Sequence, residues 1–173
     1  LLSKDGQVTA GTRDSLFASL DFVKRAPGYI NTMRRLYLPP VFGTATPDEV
    51  REWLSENRPH LRTNGRRFEL DELAKGLGIP NHQVVYLEKC IENLQRTREP
   101  QESHAALTRY TGQDYPGTDK AAWRRWFKEN RDYLYFSDSE GFVFKVDEEA
   151  KKQRIPFAKL RGWSSEEIDC RPK

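Results

Sequence analysis

The sequence predicts a mainly α protein with small β-hairpins, an α+β chain built as a tandem duplication of a helix, hairpin and short-helix unit. Three observations carry that expectation. Trp53–Leu61 (WLSENRPHL) and Trp126–Leu134 (WFKENRDYL) match at an offset of 73, with five of nine positions identical. Phe68–Pro80 (FELDELAKGLGIP) and Phe144–Pro156 (FKVDEEAKKQRIP) match at an offset of 76, with seven of thirteen identical. Unrelated sequence of this composition would give roughly one or two identities over both blocks. The three residues gained between the blocks fall where a hairpin loop would lie, and loop tips are where insertions are tolerated.

Each element has a local cause. Thr46-Pro47-Asp48-Glu49 combines a threonine cap, a proline at the first helical position and a glutamate three residues after the cap, so a helix carrying Val50, Trp53 and Leu54 starts there. Asn64-Gly65 suits a two-residue type I′ turn, whose central residues both need positive φ. Ser137–Gly141 makes a longer turn between strands rich in aromatic residues. Asp71 caps a short helix closed by Gly78, and Asn81 caps another whose Val84, Leu87, Ile91 and Leu94 form an apolar stripe. Ahead of these, Leu16, Phe17, Leu20 and Val23, then Ile30, Met33, Leu36 and Tyr37, predict a helical pair stopped by Pro39-Pro40. The resulting organisation is an N-terminal helical segment over 1–40 packing on the first copy, copy one over 41–94, a polar linker over 95–103, copy two over 104–163 and a tail over 164–173.

Composition narrows the function classes. Hydrophobic residues make up 36% and charged residues 32%, polar for a folded chain, yet an aromatic share of 12% is too high for disorder. The net charge of +3 is the small difference between 29 basic and 26 acidic residues, unlike the one-sided balance of most nucleic-acid binders. The pairs Arg34-Arg35, Arg66-Arg67, Arg124-Arg125 and Lys151-Lys152 read as solvated surface. Cys90 and Cys170 form neither a disulfide framework nor a zinc pattern. No run of 18 apolar residues exists, so no membrane span is expected. The first residue is leucine, which leaves room for a leader or an upstream domain and keeps secretion open.

No catalytic, cofactor or metal site is expected. His60, His82 and His104 lack ligand spacing, and neither a nucleophile elbow nor a phosphate-binding glycine loop occurs. The residues that recur in both copies are expected to be structural anchors: Trp53, Asn57, Arg58 and Asp71 in the first, Trp126, Asn130, Arg131 and Asp147 in the second. The Asn and Arg side chains can satisfy carbonyls at a helix end, the aspartates can cap, and the tryptophans, like Trp123 and Trp163, can anchor a core.

Two resemblances add to this. Residues 70–91 (LDELAKGLGIPNHQVVYLEKCI) resemble a helix-turn-helix motif, with Ala74 in the tight helix contact and Gly78 in the turn. That likeness implies Asn81, His82, Gln83 and Tyr86 facing a major groove. Against it stand Glu88 and Glu92 on the would-be reading helix, and Arg154 at the matching turn position of the second copy. Leu107–Leu134, through Thr111-Gly112-Gln113-Asp114-Tyr115, Gly117-Thr118-Asp119 and Trp123-x-x-Trp126, is similar to a segment at the ends of bacterial HEAT-repeat and related envelope proteins. It departs from that pattern in Pro116 and Phe127. This second likeness implies a non-enzymatic accessory, often exported, that binds another protein. The expected function is therefore a scaffold or protein-interaction module without cofactors, with a helix-turn-helix DNA binder as the alternative.

Overall fold

The computed structural model describes residues 46–63, 68–95, 100–116, 119–137 and 140–162. The expected N-terminal helical pair, the Asn64-Gly65 turn, Trp163 and the tail lie outside these. The chain is mainly helical with two small antiparallel strand pairs, which is the α+β class expected. Its elements are α1 (Pro47–Asn57), a 3-10 turn (Arg58–His60), β1 (Leu61–Thr63), β2 (Phe68–Leu70), α2 (Glu72–Leu77), α3 (Val84–Asn93) and α4 (Pro100–Thr111). There follow α5 (Lys120–Asn130), a 3-10 turn (Arg131–Tyr133), β3 (Leu134–Ser137), β4 (Val143–Val146), α6 (Glu148–Gln153) and α7 (Phe157–Arg161).

The succession α1 to α2 and the succession α5 to α6 are the same, element for element, and each of these four helices starts at a side-chain cap. Thr46 caps α1 with both bonds of a capping box, Glu49 N to Thr46 Oγ1 at 3.3 Å and Thr46 N to Glu49 Oε2 at 2.6 Å. Asp119, 73 positions on, caps α5 by accepting from the amides of Ala121 and Ala122, both at 3.0 Å. The Asp71 amide donates to the His60 carbonyl at 2.8 Å, and the Asp147 amide to the Tyr133 carbonyl at 2.9 Å. The short helices end alike, in left-handed residues Gly78 (φ 66°) and Arg154 (φ 57°). After each, an isoleucine amide returns to an alanine carbonyl, Ile79 to Ala74 and Ile155 to Ala150. That bond closes the helix end in the way a Schellman-type cap does.

The interior agrees as well. Val50, Leu54, Leu61, Phe68 and Ala74 are buried, and their counterparts Trp123, Phe127, Leu134, Phe144 and Ala150 are buried too. The hairpins absorb the three additional residues. β1 and β2 pair over three rungs ending at Thr63↔Phe68, with four residues between; β3 and β4 pair over four rungs ending at Ser137↔Val143, with five between. One more rung takes two residues and the loop takes the third.

Two compact units divide at Asn81/His82. In the first, Val50, Leu54, Leu61 and Phe68 form the core. The second centres on Tyr86, Leu87, Leu107, Tyr110 and Trp123. Tyr86 meets Tyr110 edge-on at 5.6 Å, Tyr110 lies 6.4 Å from Phe136, and Phe136 packs on its cross-strand partner Phe144 at 5.1 Å. Edge-to-face ring pairs of this kind add to area burial. Phe142 takes a left-handed φ of 61° while its ring is buried 6.1 Å from Phe136; burial of the ring offsets a conformation that a bulky residue otherwise avoids.

Three sequence expectations are corrected. The stretch 81–94, assigned to copy one, holds α3, which packs on α4 and α5 in the second unit. Its buried face is Tyr86, Leu87, Cys90, Ile91 and Leu94, with Val84 only half-buried. The polar linker expected over 95–103 ends inside a helix, since Pro100–Thr111 is α4. Proline costs nothing at a first helical position, and Ser103, Ala106, Leu107, Tyr110 and Thr111 recur at helical spacing as a buried face.

Candidate functional site

The recurring polar residues are occupied in holding backbone. Asn57 Nδ2 donates to the Trp53 carbonyl at 2.8 Å, and Asn130 Nδ2 to the Trp126 carbonyl at 2.7 Å. Asp71 accepts from the Ala74 amide at 3.0 Å and Asp147 from the Ala150 amide at 2.9 Å. All four of these side chains are buried. Arg58 and Arg131 differ from that pattern: both are exposed, and the Arg131 guanidinium lies 5.7 Å over the Phe127 ring with Glu88 3.8 Å away. Of the two recurring tryptophans, Trp126 is buried against Trp123 at 6.1 Å while Trp53 is half-buried.

The four residues expected to face a groove separate. Asn81 is 0% exposed, and its Nδ2 donates to the Leu61 carbonyl at 2.9 Å. Tyr86 is 0% exposed within the aromatic core. His82 is half-buried with its ring 6.0 Å from Phe136, and Gln83 is the half-buried residue preceding α3. A major groove is read by side chains that reach base edges; Asn81 and Tyr86 point into the protein instead. Small and polar residues at a helix–helix corner satisfy the motif pattern whether or not the second helix is free.

The segment Thr111–Trp126 is a built cluster. Thr111 Oγ1 donates back to the Leu107 carbonyl at 2.7 Å and accepts from the Gln113 amide at 3.1 Å, while Gly112 turns the chain at φ 65°. Tyr115 meets the Trp123 ring edge-on at 5.0 Å, His104 does so at 6.2 Å, and His104 Nε2 lies 2.9 Å from the Tyr115 carbonyl. Thr111, Gly112, Tyr115, Asp119 and Trp123 thus turn, pack and cap, whereas Gln113 is half-buried and Asp114 exposed.

Two contacts made by charged side chains were not legible in the sequence. Lys120 is 8% exposed, and its Nζ donates at 2.8 Å to the Glu92 carbonyl in the last turn of α3, where the helix dipole favours a cation. Arg161 Nε and Nη2 reach Asp147 Oδ2 at 3.1 and 2.8 Å. The Ala150 amide and the Arg161 guanidinium hold the Asp147 carboxyl below the usual carboxylate range. Burial lowers the His60 imidazole, against the opposing charge of Asp71. No signal in the sequence marks Lys120 or Arg161, because each lies among charged residues that read as solvated.

Among the described residues, no group of His, Cys, Asp and Glu is arranged to hold a metal ion, and no helix is long and apolar enough to cross a membrane. No family model matches the chain, and neither curated proteins nor solved structures include a similar one.

Proposed function

We propose that the chain is a non-catalytic protein-interaction module, a tandem duplication of one helix, hairpin and short-helix unit serving within a longer bacterial chain. The observation that carries the reading is the division of labour between residues. Four polar side chains common to both segments, Asn57 and Asn130, Asp71 and Asp147, are buried on backbone partners, while the recurring Arg58 and Arg131 stay exposed. What faces solvent on α1 and α5 is mostly charged and, Glu56 and Glu129 apart, differs between the segments. A scaffold kept constant beneath surfaces that vary is what recognition of other proteins requires, since specificity rests on surface charge and shape. The segment Leu107–Leu134, similar to part of bacterial HEAT-repeat and envelope proteins, supports the same reading and favours an exported location.

Affinity capture with the purified chain from native extract at low salt, followed by cross-linking, tests this. Recovery of a stoichiometric protein partner is expected; recovery of none refutes it. Binding to duplex DNA across a salt series is expected to be absent, whereas tight binding that weakens steeply with salt would favour the DNA-binding alternative.

A further inference from the structure

The matched helices α1 and α5 agree inside and are opposed in charge outside. α1 carries Asp48, Glu49, Glu52 and Glu56 against Arg51, a net −3. α5 exposes Arg124, Arg125 and Lys128 against Glu129, a net +2, its remaining cation Lys120 being buried on the Glu92 carbonyl. Where α1 has Glu52 and Ser55, α5 has Arg125 and Lys128, although Trp53 and Asn57 recur as Trp126 and Asn130. Asp48, Glu52 and Glu56 are exposed and four residues apart, which sets them in one stripe. Arg124, Arg125 and Lys128 are exposed on α5. Among the described residues none of these six enters an ion pair.

We propose that the acidic α1 face of one copy docks on the basic α5 face of a second copy, so that the chain associates with itself head to tail. The inference rests on the interaction reading above and names the partner. A second copy fits because it presents a face of opposite charge on a helix of the same length. The overall charge of +3 is too small to oppose association. The two faces are different surfaces, so each contact leaves one acidic and one basic face unoccupied, and the assembly grows or closes as a ring. The attraction is between exposed groups and is therefore screened by salt.

Sedimentation velocity of the full chain over a range of protein concentrations tests this. At about 10 mM ionic strength, where the Debye length is roughly 30 Å, the average sedimentation coefficient is expected to rise with concentration; at about 1 M, where it is roughly 3 Å, the chain is expected to be monomeric. The variant with Glu52→Lys and Glu56→Lys and the variant with Arg124→Glu and Arg125→Glu are each expected to stay monomeric at low salt. Mixed, they are expected to associate again, because reversing both faces restores complementarity; circular dichroism confirms that each is folded. A wild-type chain that is monomeric at every concentration at low salt overturns the proposal, as does a mixture that fails to associate. A monomeric chain that still cross-links to a different protein overturns self-docking and leaves the interaction reading standing.

Discussion

Arg154 is a non-glycine residue at a left-handed helix end where the matched position holds Gly78, and exchanging the chemistry at these two sites separates backbone strain from contacts. Arg154 has φ 57° and ψ 34°, is exposed, and its side chain has no partner among the described residues. Its amide bond to the Lys151 carbonyl, 3.1 Å, is kept by glycine. For an L-residue that conformation costs about 1–2 kcal/mol. Glycine removes the cost and gives back about 0.4–1 kcal/mol through its freer unfolded chain. Arg154→Gly is therefore expected to stabilise the protein by about 0.5–1 kcal/mol. Gly78→Ala reverses the sum, since φ is 66° and an added Cβ meets nothing within 4 Å, so that the loss is conformational alone. In urea, with a slope of about 2 kcal/mol/M, the midpoints should move by roughly 0.25–0.5 M, up for Arg154→Gly and down for Gly78→Ala. Fluorescence of Trp123 and Trp126 reports the second unit and that of Trp53 the first. A midpoint lowered by Arg154→Gly, or unmoved by both substitutions, would refute the assignment of equivalent left-handed ends.

Other consequences follow from the same geometry. Asp147 has a folded-state pKa below its unfolded value, so its contribution is complete above about pH 3.9 and is lost as pH falls through the folded value. Asp147→Asn should flatten the acid limb of the stability profile measured by denaturation between about pH 2 and 5. Asn130→Ala removes the 2.7 Å bond to the Trp126 carbonyl and the 2.6 Å acceptor of Lys151; a loss of about 1–3 kcal/mol in chemical denaturation is expected, and no change would show the bonds to be idle. Lys120→Met keeps most of the buried stem and deletes a charged hydrogen bond, so about 1.5–3 kcal/mol should be lost, whereas a gain would mean that removing the buried charge outweighs that bond.

What could be read in the sequence was what local chemistry decides. The Thr46 box, the Asp71 and Asp147 caps, the Asn57 and Asn130 bonds to a carbonyl four residues back and the two strand pairs all need only neighbours within a few positions. Pro100–Thr111 escaped because its first turn is polar and its buried face, Ser103 among it, carries few apolar residues. Asn81 escaped for a different reason. A helix-start pattern exposes such a residue, yet here its side chain is fixed by the Leu61 carbonyl twenty positions away and its amide by that of Pro59. Lys120 and Arg161 are likewise positioned by residues that periodicity does not relate to them.

The match between the segments breaks in the core at position 50, and the break locates where the second unit gains its own stability. Val50 and Trp123 occupy matched positions and both are 0% exposed, so a valine cavity in one becomes an indole cavity in the other. The larger space is walled by His104 from α4, by Tyr115 and by Trp126, with ring centres 5.0 to 6.2 Å from that of Trp123. Trp123→Val would restore the first segment's residue without its surroundings and leave those three rings facing a void. By the cost of emptying large buried sites it should lose about 3–5 kcal/mol. Val50→Trp, by contrast, forces a ring into filled space and should lose about 1–3 kcal/mol. Near-ultraviolet circular dichroism together with urea midpoints measures both. Were Trp123→Val to cost under about 1 kcal/mol, the rings around position 123 would not be packed as described, and the second unit would owe its stability to the hairpin aromatics Phe136, Phe142 and Phe144 instead.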